Sequence, residues 1–133
     1  MDLEDTDLTG TALGPFAALL GMEVIRADGD EVSVRWTANP SLHQPHGIVH
    51  GGVYCSIVET LASVGASLWL GDRGRVVGVS NSTDFFRAVR DGDLRSVASP
   101  VHRGRSQQVW FVETRDDQDR LVSRGQVRLQ NLS

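Results

Sequence analysis

The stretch HGIVHGGVYCSIVETLASVGASLWL, residues 46–70, decides the fold. From Val53 onward its apolar residues recur every three to four positions, which is the period of a helix face, and Gly71 follows where a helix commonly ends. The remaining face carries a narrow polar stripe of Ser56, Glu59, Ser63 and Ser67. The pattern predicts a central helix of about five turns that holds one carboxylate.

Strand-like sequence lies on both sides of this helix. Residues 23–38 alternate apolar and polar side chains around the turn Asp28-Gly29, which predicts a hairpin. Further strands are predicted at 76–86, 93–102, 106–114 and 121–129, and short turns between them favour antiparallel pairing. The predicted fold class is therefore α+β, with one long helix packed against a mostly antiparallel sheet.

Two shorter segments precede the helix. Residues 14–20 have the composition of a short helix, and residues 39–49 form a loop rich in proline, histidine and glycine. The two prolines of that loop, Pro40 and Pro45, are expected to keep its backbone out of a helix.

Composition narrows the classes of protein that fit. A chain of 133 residues with 40% hydrophobic content predicts one domain over residues 12–133, preceded by an acidic, disordered segment over 1–11. The net charge is −4, and all 13 basic residues are dispersed arginines, so nucleic acid is not an expected partner. The single cysteine excludes an internal disulfide, and the acidic N-terminus does not resemble a signal peptide. We expect a cytoplasmic protein.

A membrane is not an expected partner either. Residues 53–70 approach the ~20 residues that a membrane span needs. Glu59 at the centre would cost several kcal/mol in a bilayer, and the serines of the stripe lower the hydrophobicity further. The stretch fits a buried helix of a globular domain better.

Glu59 has two interpretations. It could be a structural carboxylate that pairs with an arginine or faces solvent. The alternative comes from His50, Gly51 and Gly52 at the start of the helix, where unpaired N–H groups and close approach to the backbone favour a developing negative charge. Such N–H groups can form an oxyanion hole, and a carboxylate two turns further along can act as base or nucleophile. Acyl transfer is the reaction class that uses both.

Two other patterns are weaker. His43, His46 and His50 have plausible metal-ligand spacing, but they lie in an irregular loop with no acidic or cysteine ligand nearby, so no metal site is predicted. Cys55 lies one turn before Glu59, and a lone cysteine in an apolar helix usually serves packing.

Most of the chain resembles a known family. The helix HGGVYCSIVETLASVGA, the loop NPSLHQPHGIV before it, and the segments VVGVSNSTDFFRAVRDGDL and HRGRSQQVWFVETRDDQDRLVSRG after it are similar to the PaaI-like branch of hotdog-fold acyl-CoA thioesterases. The likeness covers about residues 15–129 and is greatest to bacterial enzymes acting on hydroxybenzoyl-CoA or dihydroxynaphthoyl-CoA. It implies a hotdog fold, in which the sheet wraps the long helix.

The resemblance also implies roles for five residues. Glu59 matches the carboxylate that attacks the thioester or activates water, and Gly51 matches the N–H of the oxyanion hole. Gln44 matches a loop amide at the thioester, His50 the histidine beside the leaving thiolate, and Ser63 the hydroxyl that orients the water or carboxylate. No metal or separate cofactor is implied, because coenzyme A is part of the substrate.

In such enzymes two subunits join their sheets edge to edge, and dimers often pair again into homotetramers. The site then lies at the dimer interface, where Gln44, His50 and Gly51 face Glu59 and Ser63 of the other copy. Four arginines are candidates for the coenzyme A phosphates by resemblance and charge: Arg87, Arg90, Arg103 and Arg105.

Two other functions stay open at this point. A hotdog dehydratase or hydratase would also use a histidine and a helix carboxylate, although its His-x-x-x-Pro-Gly-type loop is not found. A non-catalytic acyl-CoA-binding module would keep the fold without needing Glu59.

If the protein is a thioesterase, the polar residues expected near the thioester favour a hydroxylated aromatic acyl group over a long aliphatic chain. These residues are Ser56, Ser63, Ser67, Asn81, Ser82 and Thr83.

Overall fold

A computed structural model describes residues 13–133. The segment 1–11, predicted to be disordered, lies outside these residues. In chain order the elements are α1 Pro15–Leu19, β1 Glu23–Ala27, β2 Val32–Ala38, α2 Gly51–Leu70, β3 Arg75–Phe85, β4 Gly92–Arg103, β5 Gln107–Asp116 and β6 Leu121–Leu132.

The six strands form one sheet in the order β1-β2-β4-β5-β6-β3, and every pair is antiparallel. Helix α2 contacts β2, β3, β4, β5 and β6, so the sheet wraps around it. The predicted α+β class, the hairpin, the four later strands and the central helix are all confirmed. This arrangement is the hotdog fold.

The loop before α2 differs from the prediction. Pro40–Leu42 forms a 3₁₀ helix, so the expectation that the prolines exclude helix is wrong at Pro40. Pro40 occupies the start of the turn, where its missing N–H group costs nothing, and the Asn39 side chain accepts a hydrogen bond from the Ser41 N–H. A short capped turn therefore replaces the predicted irregular backbone.

Helix α2 is the centre of the core. Its buried side includes Ile57, Val58 and Leu61, each fully buried. Gly65 allows close packing on β5, because a Cβ there would lie 2.6 Å from Cζ3 of the Trp110 ring. By length and composition Gly51–Arg73 could cross a membrane, but 56% of its apolar window is buried inside the protein. It is the core helix of this fold.

Strand β3 is an edge strand and changes the face that it presents to α2. Gly78 pairs with Leu129 and Ser80 pairs with Arg128, so Val79 is the extra residue of a β-bulge. Even-numbered positions such as Gly78 face α2 before the bulge. After the bulge the odd-numbered positions, such as Asn81, face it. The bulge therefore decides which side chains of β3 reach the helix.

Candidate active site

His50 caps the N-terminus of α2. Its Nδ1 accepts a hydrogen bond of 2.7 Å from the Gly52 N–H, and its carbonyl accepts one of 2.9 Å from the Val53 N–H. Because Nδ1 is the acceptor, the neutral ring carries its proton on Nε2 and can donate from there. The Gly51 N–H has no hydrogen-bond partner among residues 13–133. The helix thus begins with an unpaired donor at the positive end of its dipole.

Gly51 packs closely against its neighbour on β3. A Cβ at this position would lie 2.9 Å from two atoms of the Phe85 ring. The glycine therefore serves close packing of the helix start on the strand, and it also leaves the N–H open to a ligand.

Gln44 is positioned by the turn before the helix. Its backbone N–H donates to the Ile48 carbonyl at 2.8 Å, and its side-chain Oε1 accepts a hydrogen bond from the His46 N–H. Because Oε1 is the acceptor there, the side-chain NH₂ is left to donate. Gln44 and Gly51 line the same cavity of about 310 Å³, together with Ile48, Val49, Tyr54, Phe85, Phe86, Arg87 and Ala88.

The turn itself is held by the segment between β3 and β4. The Val49 N–H donates to the Val89 carbonyl at 2.8 Å, and Nη1 of Arg90 lies 3.3 Å from the carbonyls of both His46 and Gly47. The Nε2 of His43 lies 2.6 Å from the Arg90 carbonyl. These hydrogen bonds fix the conformation of the loop. The Arg90 guanidinium takes part in them through Nη1.

The three loop histidines do not converge. His43 contacts the Arg90 carbonyl and His50 caps α2, so two of them are occupied by backbone groups. Residues 13–133 contain no group of three or more His, Cys, Asp or Glu side chains that could hold a metal ion.

Glu59 lies half-buried two turns along α2, facing β3. Its Oε1 accepts a hydrogen bond from Nδ2 of Asn81 at 3.2 Å, and its Oε2 accepts a long one from Oγ of Ser63 at 3.4 Å. It forms no salt bridge with any basic residue of the described chain. The interpretation of Glu59 as an arginine-paired structural carboxylate therefore has no support in residues 13–133.

A single chain does not join the two parts of the predicted site. Gly51 and Glu59 are eight residues apart on α2, which corresponds to about 12 Å along the helix axis. Glu59 does not line the cavity that contains Gln44 and Gly51. The chain brings Gln44 close to Gly51, and Ser63 close to Glu59, as two separate groups.

A larger cavity of about 470 Å³ lies beside His50. It is lined by Phe16, Leu19, Leu20, Ser41, Leu42, His43, His50, Gly52, Val53 and Ser56, so most of its wall is apolar. The Ser56 hydroxyl donates back to the Gly52 carbonyl at 2.7 Å, which leaves it only as an acceptor for a ligand. Short helix α1 and the N-terminal end of α2 form this cavity together.

The predicted polar cleft is only partly present. Asn81 and Thr83 face α2 but bond to each other, through Thr83 Oγ1 and Asn81 Oδ1 at 2.7 Å. Ser82 faces the other way and lines a small cavity with Phe86 and Phe111 on the outer face of the sheet, so the prediction for Ser82 is wrong. The bulge at Val79 is the reason, because it gives Asn81 and Thr83 the inward positions.

The four candidate arginines lie in different places. Arg87 lines the cavity of Gln44 and Gly51, whereas Arg90 holds the loop carbonyls. Arg103 donates to the Gly29 carbonyl at 2.6 Å and to Asp30 at 2.8 Å, which ties it to the β1–β2 turn. Arg105 lines a cavity of about 390 Å³ near the C-terminal end of α2. The fold does not gather them into one anion site.

Two contacts of Glu59 were not predicted from the sequence, namely those with Asn81 and with Gly78. A Cβ at Gly78 would lie 2.1 Å from Oε2 of Glu59, so the carboxylate occupies the space that this glycine leaves. An isolated glycine inside a strand pattern is a known sign of a bulge or of a close approach to the backbone. That signal was available in the sequence.

Tyr54 is a further residue that the sequence does not single out. Its ring lies between Trp36 and Phe85, with ring centroids 5.7 and 5.9 Å away, and its hydroxyl is buried without a hydrogen-bond partner among residues 13–133. Burial raises the pKa of Tyr54 to about 12 from its ordinary value of 10.0. The phenol therefore keeps its proton to a higher pH than an exposed tyrosine does.

This burial predicts an alkaline loss of stability. The chain has one tyrosine, so tyrosinate absorbance reports Tyr54 alone. We expect the native protein to ionise it near pH 12 and the denatured protein near pH 10. Between these values the unfolded state releases a proton that the folded state keeps, so the free energy of unfolding falls as pH rises. Tyr54→Phe should remove this part of the pH dependence of the free energy of unfolding. If the tyrosine of the native protein ionised at nearly the same pH as that of the denatured protein, the burial of Tyr54 would be contradicted.

Comparison with known proteins identifies what the chain resembles. The thioesterase superfamily matches residues 46–123. A Mycobacterium tuberculosis protein named as an esterase is 48% identical over 121 residues, covering 89% of this chain and 86% of its own length. The proofreading thioesterase EntH of Cronobacter turicensis is 35% identical over 113 residues, covering 85% of this chain and 82% of its own.

Solved structures agree with these similarities. The crystal structure of S. sahachiroi AziG has a TM-score of 0.88 at 58% identity and covers 90% of this chain and 98% of its own. The structure of the M. tuberculosis protein has a TM-score of 0.87 and covers 90% and 97%.

Proposed function

The chain belongs to the thioesterase superfamily and is a thioester hydrolase, and from this premise we propose that it hydrolyses a small aromatic acyl-CoA to the free acid and coenzyme A. One observation carries the choice of catalytic group. Glu59 is held by two neutral hydrogen-bond donors, Asn81 and Ser63, and has no counter-cation in residues 13–133. A carboxylate so placed is free to act as a base or a nucleophile.

The proposed reaction divides the work between the two groups of residues. The Gly51 N–H and the Gln44 side-chain NH₂ donate to the thioester carbonyl oxygen and stabilise the charge that develops on it. Glu59 attacks the carbonyl carbon or removes a proton from the attacking water. The Ser63 hydroxyl orients the water or the Glu59 carboxylate. The C–S bond then breaks, and the thiolate of coenzyme A leaves beside Nε2–H of His50 and takes up a proton. Where Glu59 is the nucleophile, this step leaves a mixed anhydride between Glu59 and the acyl group, which water then hydrolyses. By either route one water is consumed, its oxygen is added to the acyl group, and the products are the carboxylic acid and the free thiol.

The proposed enzyme is a homodimer that can pair into a homotetramer. Within residues 13–133, β3 is a long sheet edge with no strand paired on its outer side, and its Val77 and Val79 are 43% and 50% exposed. Edges of this kind pair readily with another strand. Pairing β3 with β3 of a second copy would allow Gln44 and Gly51 of one subunit to meet Glu59 of the other, which a single chain does not achieve.

The cavity beside His50 supports an aromatic acyl group. Its apolar wall of Phe16, Leu19, Leu20 and Val53 suits a flat apolar ring, and its volume of about 470 Å³ is in the range of small-molecule sites. Ser56 offers one acceptor for a ring hydroxyl. The aromatic preference thus depends mainly on the apolar wall, because Asn81 and Thr83 bond to each other, Ser63 bonds to Glu59, and Ser82 faces the outer side of the sheet.

Arg87 is the arginine best placed to reach a phosphate of coenzyme A, since it lines the cavity of Gly51. The proposed enzyme is cytoplasmic and needs no metal, no separate cofactor, no nucleic acid and no membrane.

A panel of acyl-CoA substrates tests this function. We expect hydroxybenzoyl-CoA or hydroxynaphthoyl-CoA to be hydrolysed with kcat/KM about 10-fold or more above that of palmitoyl-CoA, measured by release of free thiol. Higher activity on palmitoyl-CoA would contradict the aromatic assignment. A dehydratase would change an acyl chain without releasing thiol, and a binding module would bind acyl-CoA without turnover. Either result would reject hydrolysis.

A further inference from the structure

The bulge in β3 brings an amide onto the Glu59 carboxylate. In a regular strand that begins with Gly78 facing α2, Ser80 and Ser82 would face α2 as well, and Asn81 would point away. The extra residue Val79 reverses this alternation. Asn81 consequently reaches α2, where Nδ2 lies 3.1 Å from the Cys55 carbonyl and 3.2 Å from Oε1 of Glu59.

The orientation of this amide is fixed by a second hydrogen bond. Oγ1 of Thr83 donates to Oδ1 of Asn81 at 2.7 Å. Because Oδ1 accepts this bond, the NH₂ group must point to the helix, where it has two acceptors. Thr83 lies over Gly125, where a Cβ would be 2.6 Å from Oγ1 of the threonine, so β6 leaves room for it. The hydrogen bonds of this series therefore run in one direction, from Thr83 to Asn81 and from Asn81 to Glu59.

Gly78 completes the arrangement from the other side of the bulge. The space of its missing side chain is filled by Oε2 of Glu59, as a Cβ there would lie 2.1 Å from that oxygen. Glu59 is thus confined by Asn81 at Oε1, by Ser63 at Oε2, and by the backbone of β3.

We propose that Asn81 is a positioning residue for Glu59: by holding Oε1 it fixes the rotation of the carboxylate relative to the thioester, and Thr83 fixes the Asn81 amide for this purpose. The inference rests on the proposed function of Glu59. Asn81 lies exposed in the single chain, on the edge strand that the proposed dimer would cover. Its role is therefore one of orientation rather than of stabilising the core.

Steady-state kinetics on hydroxybenzoyl-CoA separate this role from a structural one. Asn81→Ala should lower kcat about 10- to 100-fold, in the range of one hydrogen bond to a charged group, with KM changed less than about 2-fold and the melting temperature unchanged. Thr83→Val should give a smaller loss of the same kind, because the amide remains but can rotate. Ser82→Ala is the matched control, since Ser82 faces the outer side of the sheet, and it should behave as wild type.

A second variant approaches the carboxylate from Gly78. Gly78→Ala should displace the flexible end of Glu59 rather than unfold the strand, so kcat should fall while the melting temperature holds. Equal kcat for Gly78→Ala and wild type would mean that the position of this carboxylate oxygen does not matter.

The decisive readout is the coupling between the two residues. In a Glu59→Gln background, Asn81→Ala should lower the residual rate less than about 2-fold, because there is no carboxylate left to position. An unchanged kcat for Asn81→Ala, or the same loss in both backgrounds, would overturn the inference. If Glu59→Gln alone keeps full turnover, the proposed function fails instead, so the two failures are distinguishable.

Discussion

Glu59→Gln should lower kcat at least about 10²-fold on any acyl-CoA that the wild-type protein hydrolyses. Glutamine keeps the size of the side chain and can still contact Ser63 and Asn81, but it cannot attack a thioester or remove a proton from water. Glu59→Ala should show a similar loss. Release of free thiol under saturating substrate measures the effect, and near wild-type turnover of either variant would end the assignment.

Folding must be shown to survive these changes. Glu59 is half-buried and unpaired by any basic side chain of residues 13–133, so removing its charge should leave stability unchanged or slightly higher. Glu113→Gln is a matched control, because Glu113 lies on β5 and pairs with Arg115 at 3.3 Å. It should retain the wild-type kcat.

The second large effect concerns association. If the site is completed by another copy, a folded monomer should be at least about 10²-fold less active than the dimer, since it lacks the oxyanion donors of the partner. Replacing exposed Val77 and Val79 of β3 with lysine should produce that monomer, because charged side chains on an edge strand oppose pairing. Sedimentation at the assay concentration gives the oligomeric state.

Dilution of the wild-type protein provides an independent check. Activity per chain should fall at concentrations where sedimentation shows dissociation, and it should return on concentration. A monomer of either protein with full activity would contradict a shared site.

The spacing of apolar residues in the sequence predicted the fold, because burial of one face of a helix or strand imposes that spacing. The apolar positions of α2 must face the sheet, and alternating positions in the strands must face the helix, so both patterns are visible in the sequence. The 3₁₀ turn at Pro40–Leu42 was not predicted, because it depends on one cap by Asn39 rather than on any period. The bulge at Val79 is also a local event, and it shifted every later side chain of β3 by one position.

The site was less accessible to sequence analysis than the fold. The helix stripe placed Ser63 next to Glu59 by spacing alone, and the structure shows that contact. Asn81 is 22 residues away in sequence and reaches Glu59 only through strand pairing and the bulge. The sequence also could not show which candidate arginines are available to bind phosphate. Arg90 and Arg103 donate hydrogen bonds to backbone carbonyls of turns that are distant in sequence.

The central claim is that Glu59 of one chain acts with Gln44 of another, and mixing two inactive variants tests it most directly. Glu59→Gln and Gln44→Ala should each be at least about 10²-fold less active alone. After subunit exchange at equal concentrations, half of the dimers are mixed, and each mixed dimer has one intact site of two. Activity should then recover to about a quarter of wild type. Mass spectrometry verifies that mixed dimers have formed. If these mixed dimers stay inactive, the shared site is contradicted.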